Sequence, residues 1–123
     1  MPAYNTQTPP PALYPGDAAY AFQAETPAAG TASQQFAVAQ PYDGAAGGPA
    51  VLRVDISYAA APSAVAVAIQ SAADDADAAY FTEYTSTSTA GESVKLTNFR
   101  GRFVRVKLVS QTGGGAITVR LVR

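Results

Sequence analysis

Three aspartates fall within four residues at Asp74-Asp75-Ala76-Asp77, the chain's one carboxylate cluster. Oxygen ligands at that density suit a hard cation such as calcium. The spacing lacks the alternation, the central glycine and the distal glutamate of an EF-hand loop. Two other readings therefore stand beside the cation: a solvated loop between strands, or a loop meeting a basic face of its own chain or of a neighbour. Glu83 and Glu92 are single carboxylates, whereas glycoside hydrolysis needs two placed about one scissile bond. Gly113-Gly114-Gly115 has the glycines of a phosphate cradle. It lacks a following Lys-Ser/Thr and opens no helix, so it reads as a turn that uses glycine's freedom at positive φ.

The chain contains no His, no Cys and no Trp. The commonest general base, the commonest zinc ligand and any thiolate or disulfide are thereby removed. No Gly-x-Ser-x-Gly nucleophile motif is present either. The expectation is a protein that is not an enzyme and uses no cofactor. No run of apolar residues is long enough to span a bilayer as a helix. The N-terminus, Met1-Pro2-Ala3-Tyr4-Asn5, lacks the basic and apolar regions of a secretory signal, so synthesis in a cytoplasm is expected.

Charge is the remaining chemical signal. The formal net charge of −1 argues against a general polyanion binder. The signs are nevertheless segregated: seven of the eight basic residues lie between Lys95 and Arg123, a segment that contains no Asp or Glu. Arg100, Arg102, Arg105, Lys107 and Arg120, interleaved with Phe99 and Phe103, have the composition of a nucleic-acid platform. Like charges on neighbouring strands cost energy unless counter-charges face them. That favours a carboxylate-bearing protein partner for Arg102, Arg105, Lys107 and Arg120, with a solvated face and a nucleic-acid or glycan surface as the alternatives.

These residues need strands to position them. Arg102 to Ser110 places Val104, Val106 and Leu108 on one face and Arg105 and Lys107 on the other. Ala116 to Val122 alternates Ile117, Val119 and Leu121 with Thr118 and Arg120. Two period-2 runs joined by Gln111-Thr112-Gly113-Gly114-Gly115 predict a β-hairpin. Further strands are expected over 17–24, 34–40, 51–58, 64–70, 79–84 and 93–99. In the 64–70 run, alanine favours a helix. The β-branched Val65, Val67 and Ile69, spaced by two, favour a strand, with an all-alanine opposite face that invites close packing. About eight short strands separated by turns predict an all-β chain, an antiparallel β-sandwich or jelly roll.

Residues 1–16 hold Pro2, Pro9, Pro10, Pro11 and Pro15. They form the expected extended Pro-rich N-terminal arm ahead of a domain spanning 17–123. Such an arm is either a floppy tail or a segment ordered by lying on a neighbouring subunit, with Tyr4, Leu13 and Tyr14 as spaced anchors.

A further pattern runs through the second half. Ile69-Gln70-Ser71 is followed by Asp74-Asp75, by Phe81-Thr82 and by a Ser/Thr-rich stretch. Phe103-Val104-Arg105-Val106 and a glycine turn into Ile117-Thr118-Val119 complete it. Over Val51 to Arg123 this resembles the small β-sandwich virion proteins of tailed bacteriophages, and the features are shared with discoidin-like carbohydrate-binding jelly rolls. The resemblance implies a capsid decoration, or cement, protein on the virion exterior, made in the host cytoplasm. It would bind the outer capsid surface, bridge adjacent major capsid protein subunits and form a dimer or trimer, with no nucleic-acid or membrane partner. The alternative it leaves is a glycan-binding module of a phage fibre or surface protein, with Tyr42, Tyr58 or Tyr84 stacking on sugars. Fold analogy alone does not decide between them.

Overall fold

The computed structural model describes residues 10–38 and 50–123. Ten strands occur among them: β1 (Ala12–Leu13), β2 (Ala18–Glu25), β3 (Thr31–Ala32), β4 (Phe36–Val38), β5 (Ala50–Tyr58), β6 (Ala64–Ala72), β7 (Phe81–Ser86), β8 (Glu92–Phe99), β9 (Phe103–Thr112) and β10 (Ile117–Val122). The only helical turn among the described residues is a 3-10 turn at Asp77–Ala79. All eight expected strands are present, and the 64–70 ambiguity resolves to strand. The two additional strands, β1 and β3, are two residues long, too short for any periodicity to reveal.

The strands form two sheets. One has six strands in the order β1-β4-β9-β6-β7, with β3 also paired to β9, and the other has four in the order β2-β10-β5-β8. The pairs are antiparallel except β1 with β4. The two sheets make a β-sandwich. Its interior is the apolar side of each period-2 run: Leu52, Val54 and Ile56 of β5, Val65, Val67 and Ile69 of β6, Val104, Val106 and Leu108 of β9, and Ile117, Val119 and Leu121 of β10. Phe22, Phe36 and Phe99 fill the space between them. Each such side chain contributes roughly 1.5–3 kcal/mol through burial.

The expected hairpin at 102–122 does not form. Strand β9 pairs with β6, β4 and β3, whereas β10 pairs with β2 and β5 in the opposite sheet. The apolar sides of both runs are buried as anticipated, but they meet across the core rather than side by side. A glycine-rich link between two alternating runs has the same local sequence whether it folds back in one sheet or crosses to another. Here the link passes tightly over residues 59–62, with Gly115 N–H donating to the Ala60 carbonyl at 3.0 Å. The one pair of consecutive strands that does form a ladder is β6 with β7, joined through the acidic segment that follows Ala72.

The boundary expected at residue 16 also moves. The first nine residues, Tyr4 included, lie outside the described residues, as do 39–49. From Pro10 the chain belongs to the sandwich. Pro11 accepts from Ala37 N–H at 2.8 Å, Leu13 is only 2% exposed within the core, and Arg123 donates its guanidinium to the Leu13 carbonyl. Gly16 and Asp17 exchange backbone hydrogen bonds with Arg123. Leu13 is thus a core residue of its own chain and not an anchor on a neighbour, because β1 tucks beside β4.

Gly114 tests the crossing. Its φ is +80°, and a β-carbon there would lie 2.8 Å from the backbone of Pro62. Gly114→Ala is expected to cost about 1–3 kcal/mol, read as a lower urea midpoint with an unchanged m-value.

Candidate docking surface

The two outer faces of the sandwich differ. On β6 and β9 four of the residues pointing away from the core are themselves buried: Ala68, Gln70, Ala72 and Arg105. The chain covers them with its own acidic segment. Arg105, 4% exposed, pairs across the ladder with Gln70, and its Nε donates to Gln70 Oε1 at 2.8 Å. Its Nη1 donates to Asp77 Oδ1 at 2.7 Å, and the guanidinium lies 4.1 Å from the centre of the Tyr80 ring. Gln70 in turn donates to Thr82, and the buried Gln35 donates to Asp75. A buried guanidinium is tolerated only when its donors find partners, and Gln70 and Asp77 each take one while the Tyr80 ring faces the cation.

This corrects the expectation that Arg105 faces a partner: its counter-charge is Asp77 of the same chain. It also settles what the aspartate cluster faces. Asp75 and Asp77 turn to Gln35 and Arg105, and among the described residues no group of three or more acidic side chains gathers to hold a metal ion. The basic residues expected to act together are separated. Arg102 lies exposed just before β9, and Lys107 is half-buried opposite Ala68 and Ala32. Arg120 stands on the other sheet. Tyr14 is exposed in a turn closed by its own N–H to Asp17 Oδ2.

The outer face of the four-stranded sheet carries a different set. Register aligns Arg120 with Asp55 and Tyr20, Asp55 with Ser93, and Arg53 with Lys95. Arg53, Lys95 and Arg120 are exposed, as are Tyr20 at 43% and Val51 at 60%. Asp55 is the hub. Ser93 Oγ donates to it at 2.6 Å, Arg53 Nη2 pairs with it at 2.9 Å, and the Arg120 guanidinium lies 5.7 Å from the Tyr20 ring centre. The Ser93 hydroxyl first, then the hydrogen bond and charge of Arg53 and the charge of Arg120, hold the Asp55 carboxyl below its ordinary value against the opposing effect of burial. Arg53, Lys95, Tyr20 and Val51 escape sequence reasoning because they sit in three strands far apart in the chain. Their one local signature is the alternation Arg53-Asp55 and Ser93-Lys95.

At the seam between β7 and β8 a carboxylate ties the two sheets. Ser86 and Tyr84 both donate to Glu92. Glu83 accepts from Ser71. Burial first and the Glu92 charge second push the Tyr58 phenol up. Of the tyrosines considered as sugar platforms, Tyr42 lies outside the described residues, Tyr58 is half-buried at the end of β5, and Tyr84 is occupied with Glu92.

All four terminal strands interrupt regular pairing. Strand β1 has two residues beside Pro10, Pro11 and Pro15, and β2 shifts register twice against β10. Strand β7 carries an extra residue at Glu83, and β8 shifts against β5 at Thr97 and Asn98. Short strands, prolines, bulges and charges are the features that discourage strand addition. No family model, no curated protein and no solved structure matches this chain.

Two substitutions test the covered face. Arg105→Ala strands Gln70 and removes the clamp on the acidic segment, with an expected loss of about 2–3 kcal/mol in chemical denaturation. Asp77 is 74% exposed, so Asp77→Asn is expected to cost less than about 1 kcal/mol.

Tyr58 tests the seam. Its hydroxyl is buried without a hydrogen-bond partner, so Tyr58→Phe is expected to be neutral or stabilising at neutral pH. Its folded pKa stands above the ordinary 10.0, so the contribution of the neutral phenol is complete below that pH and is lost as pH rises through the folded value. Tyr58→Phe is expected to lessen alkaline unfolding, measured as the denaturation midpoint against pH.

Proposed function

We propose that this chain is a virion structural protein that binds the outer surface of a tailed-phage capsid and cements adjacent major capsid protein subunits. The observation that carries the reading is the contrast between the two outer faces. One is closed around Arg105 by the chain's own 73–80 segment, although Phe81 and Val109 of that sheet stay exposed, and the other presents a row of charged side chains with Tyr20 and Val51 to solvent. A small sandwich with interrupted edges and one open sheet face suits attachment by a face rather than by strand addition. The sequence resemblance to phage virion β-sandwiches supplies the identity of the partner.

In this reading the protein acts by adding contacts across subunit boundaries, without chemistry and without a cofactor. A symmetric dimer or trimer would repeat those contacts about a capsid axis, since closed symmetry lets one patch serve every copy. Of the two arm anchors among the described residues, Tyr14 is the exposed one. Arg102 and Lys107 lie on the first sheet's side, and Arg120 lies on the open face.

The reading frames beside the gene provide the first check, and a major capsid protein is expected among them. Undecorated shells assembled from that protein should carry this chain through sedimentation and resist heating better when it is bound. Shells that sediment without it overturn the proposal.

A further inference from the structure

We infer that the outer face of the four-stranded sheet is a docking surface for an acidic protein surface, whose carboxylates pair with Arg53, Lys95 and Arg120 around the fixed charge of Asp55. The inference rests on the proposed function only for the name of the partner. The surface and its chemistry stand on the geometry.

Charge complementarity argues for the occupant. Three cations stand on this face against a single carboxylate, although the whole chain is slightly acidic. The excess is therefore a local property of this face. Asp55 does not neutralise all three cations. It takes Arg53 directly and lies opposite Arg120 in register, while Lys95 has no hydrogen bond or ion pair among the described residues. Asp55 thus sets the orientation of the row and leaves donors directed outward. Arg120 is further held near the Tyr20 ring, which limits the side-chain freedom lost on binding.

The apolar content argues for a protein rather than a simple polyanion. Tyr20 and Val51 are exposed in the same sheet as the cations. Aromatic and aliphatic anchors beside arginine form the usual centre of a protein interface, with charges setting orientation and encounter rate. A nucleic-acid groove would combine several stacking rings with cations along a track, and Tyr20 is the only aromatic side chain exposed on this face among the described residues.

Immobilised poly-glutamate is the probe, with single-stranded DNA of matched length as the competing polyanion and the full chain in solution. Binding to poly-glutamate is expected at low salt and should weaken as salt rises. The double variant Arg53→Glu/Lys95→Glu should lose at least about tenfold in affinity, since like charges then meet. Asp55→Asn should bind several-fold more tightly, because it removes the one repelling carboxylate while leaving an acceptor for Ser93. Lys107→Glu changes net charge equally per site but lies on the other sheet, and it should leave binding unchanged. Circular dichroism and thermal melts keep only folded variants in the comparison.

A loss in Lys107→Glu about half that of the double variant on a logarithmic scale, in proportion to the charge changed, reduces the effect to net charge and overturns the inference. So does weaker binding by Asp55→Asn, or a preference for DNA over poly-glutamate. Shells of the major capsid protein separate the two proposals. Retention of Arg53→Glu/Lys95→Glu at wild-type level overturns this inference alone. Failure of the wild type to bind shells, with the poly-glutamate pattern intact, overturns the functional reading and leaves the surface assigned.

Discussion

The contact on which the molecule's asymmetry depends is the burial of the Arg105 guanidinium. A charged group taken out of water must have its donors met nearby or the fold loses several kcal/mol. Gln70, Asp77 and the ring of Tyr80 meet that demand, and each comes from β6 or from the segment after it. The arginine therefore draws the β6–β7 connection back across the sheet. Ala68 and Ala72 are buried beside it, and their small side chains permit the close approach. The strands β6 and β9 become two-sided, while β5 and β10 keep the alternation of a sheet open on one side.

The open face owes its character to the same division. With the acidic segment spent on Arg105, two of its three aspartates are directed to partners on the other sheet's side of the molecule. What remains opposite Arg53 and Arg120 is Asp55, set on the strand itself and ordered by Ser93. Exposed pairs of this kind add little to stability. Their role here is to hold cations in a fixed pattern, which matters for recognition more than for folding. Meanwhile Glu92 joins the edges of the two sheets at the β7–β8 side, and Arg123 joins the start of the described chain to its end.

Pairing in this fold is almost wholly long-range. Apart from β6 with β7, every paired strand meets a partner distant in sequence. Loop closure then precedes most of the stabilising contacts, a feature associated with slow folding in all-β domains. It also explains why each edge is interrupted: unpaired strands exposed during a slow search are the ones that aggregate.

The alternation of Leu52, Val54 and Ile56, of Val104, Val106 and Leu108, and of Ile117, Val119 and Leu121 was sufficient by itself to determine strands, their buried sides and an all-β class. Side-chain period is a local property of the backbone, so a sequence displays it directly. The aspartates at 74–77 and the arginines after Lys95 were legible as complementary groups, with pairing inside one chain and pairing between copies both left open. Only the tertiary structure decided that the Gly113–Gly115 link crosses between sheets, that Leu13 is core, that Arg105 is buried while Arg120 is exposed, and that Arg53 and Lys95 share a face with Arg120. Each of these depends on which strand lies beside which. Period-2 alternation says which side of a strand is apolar and is silent about its neighbour, because the backbone hydrogen bonds that choose the neighbour are the same for every residue type.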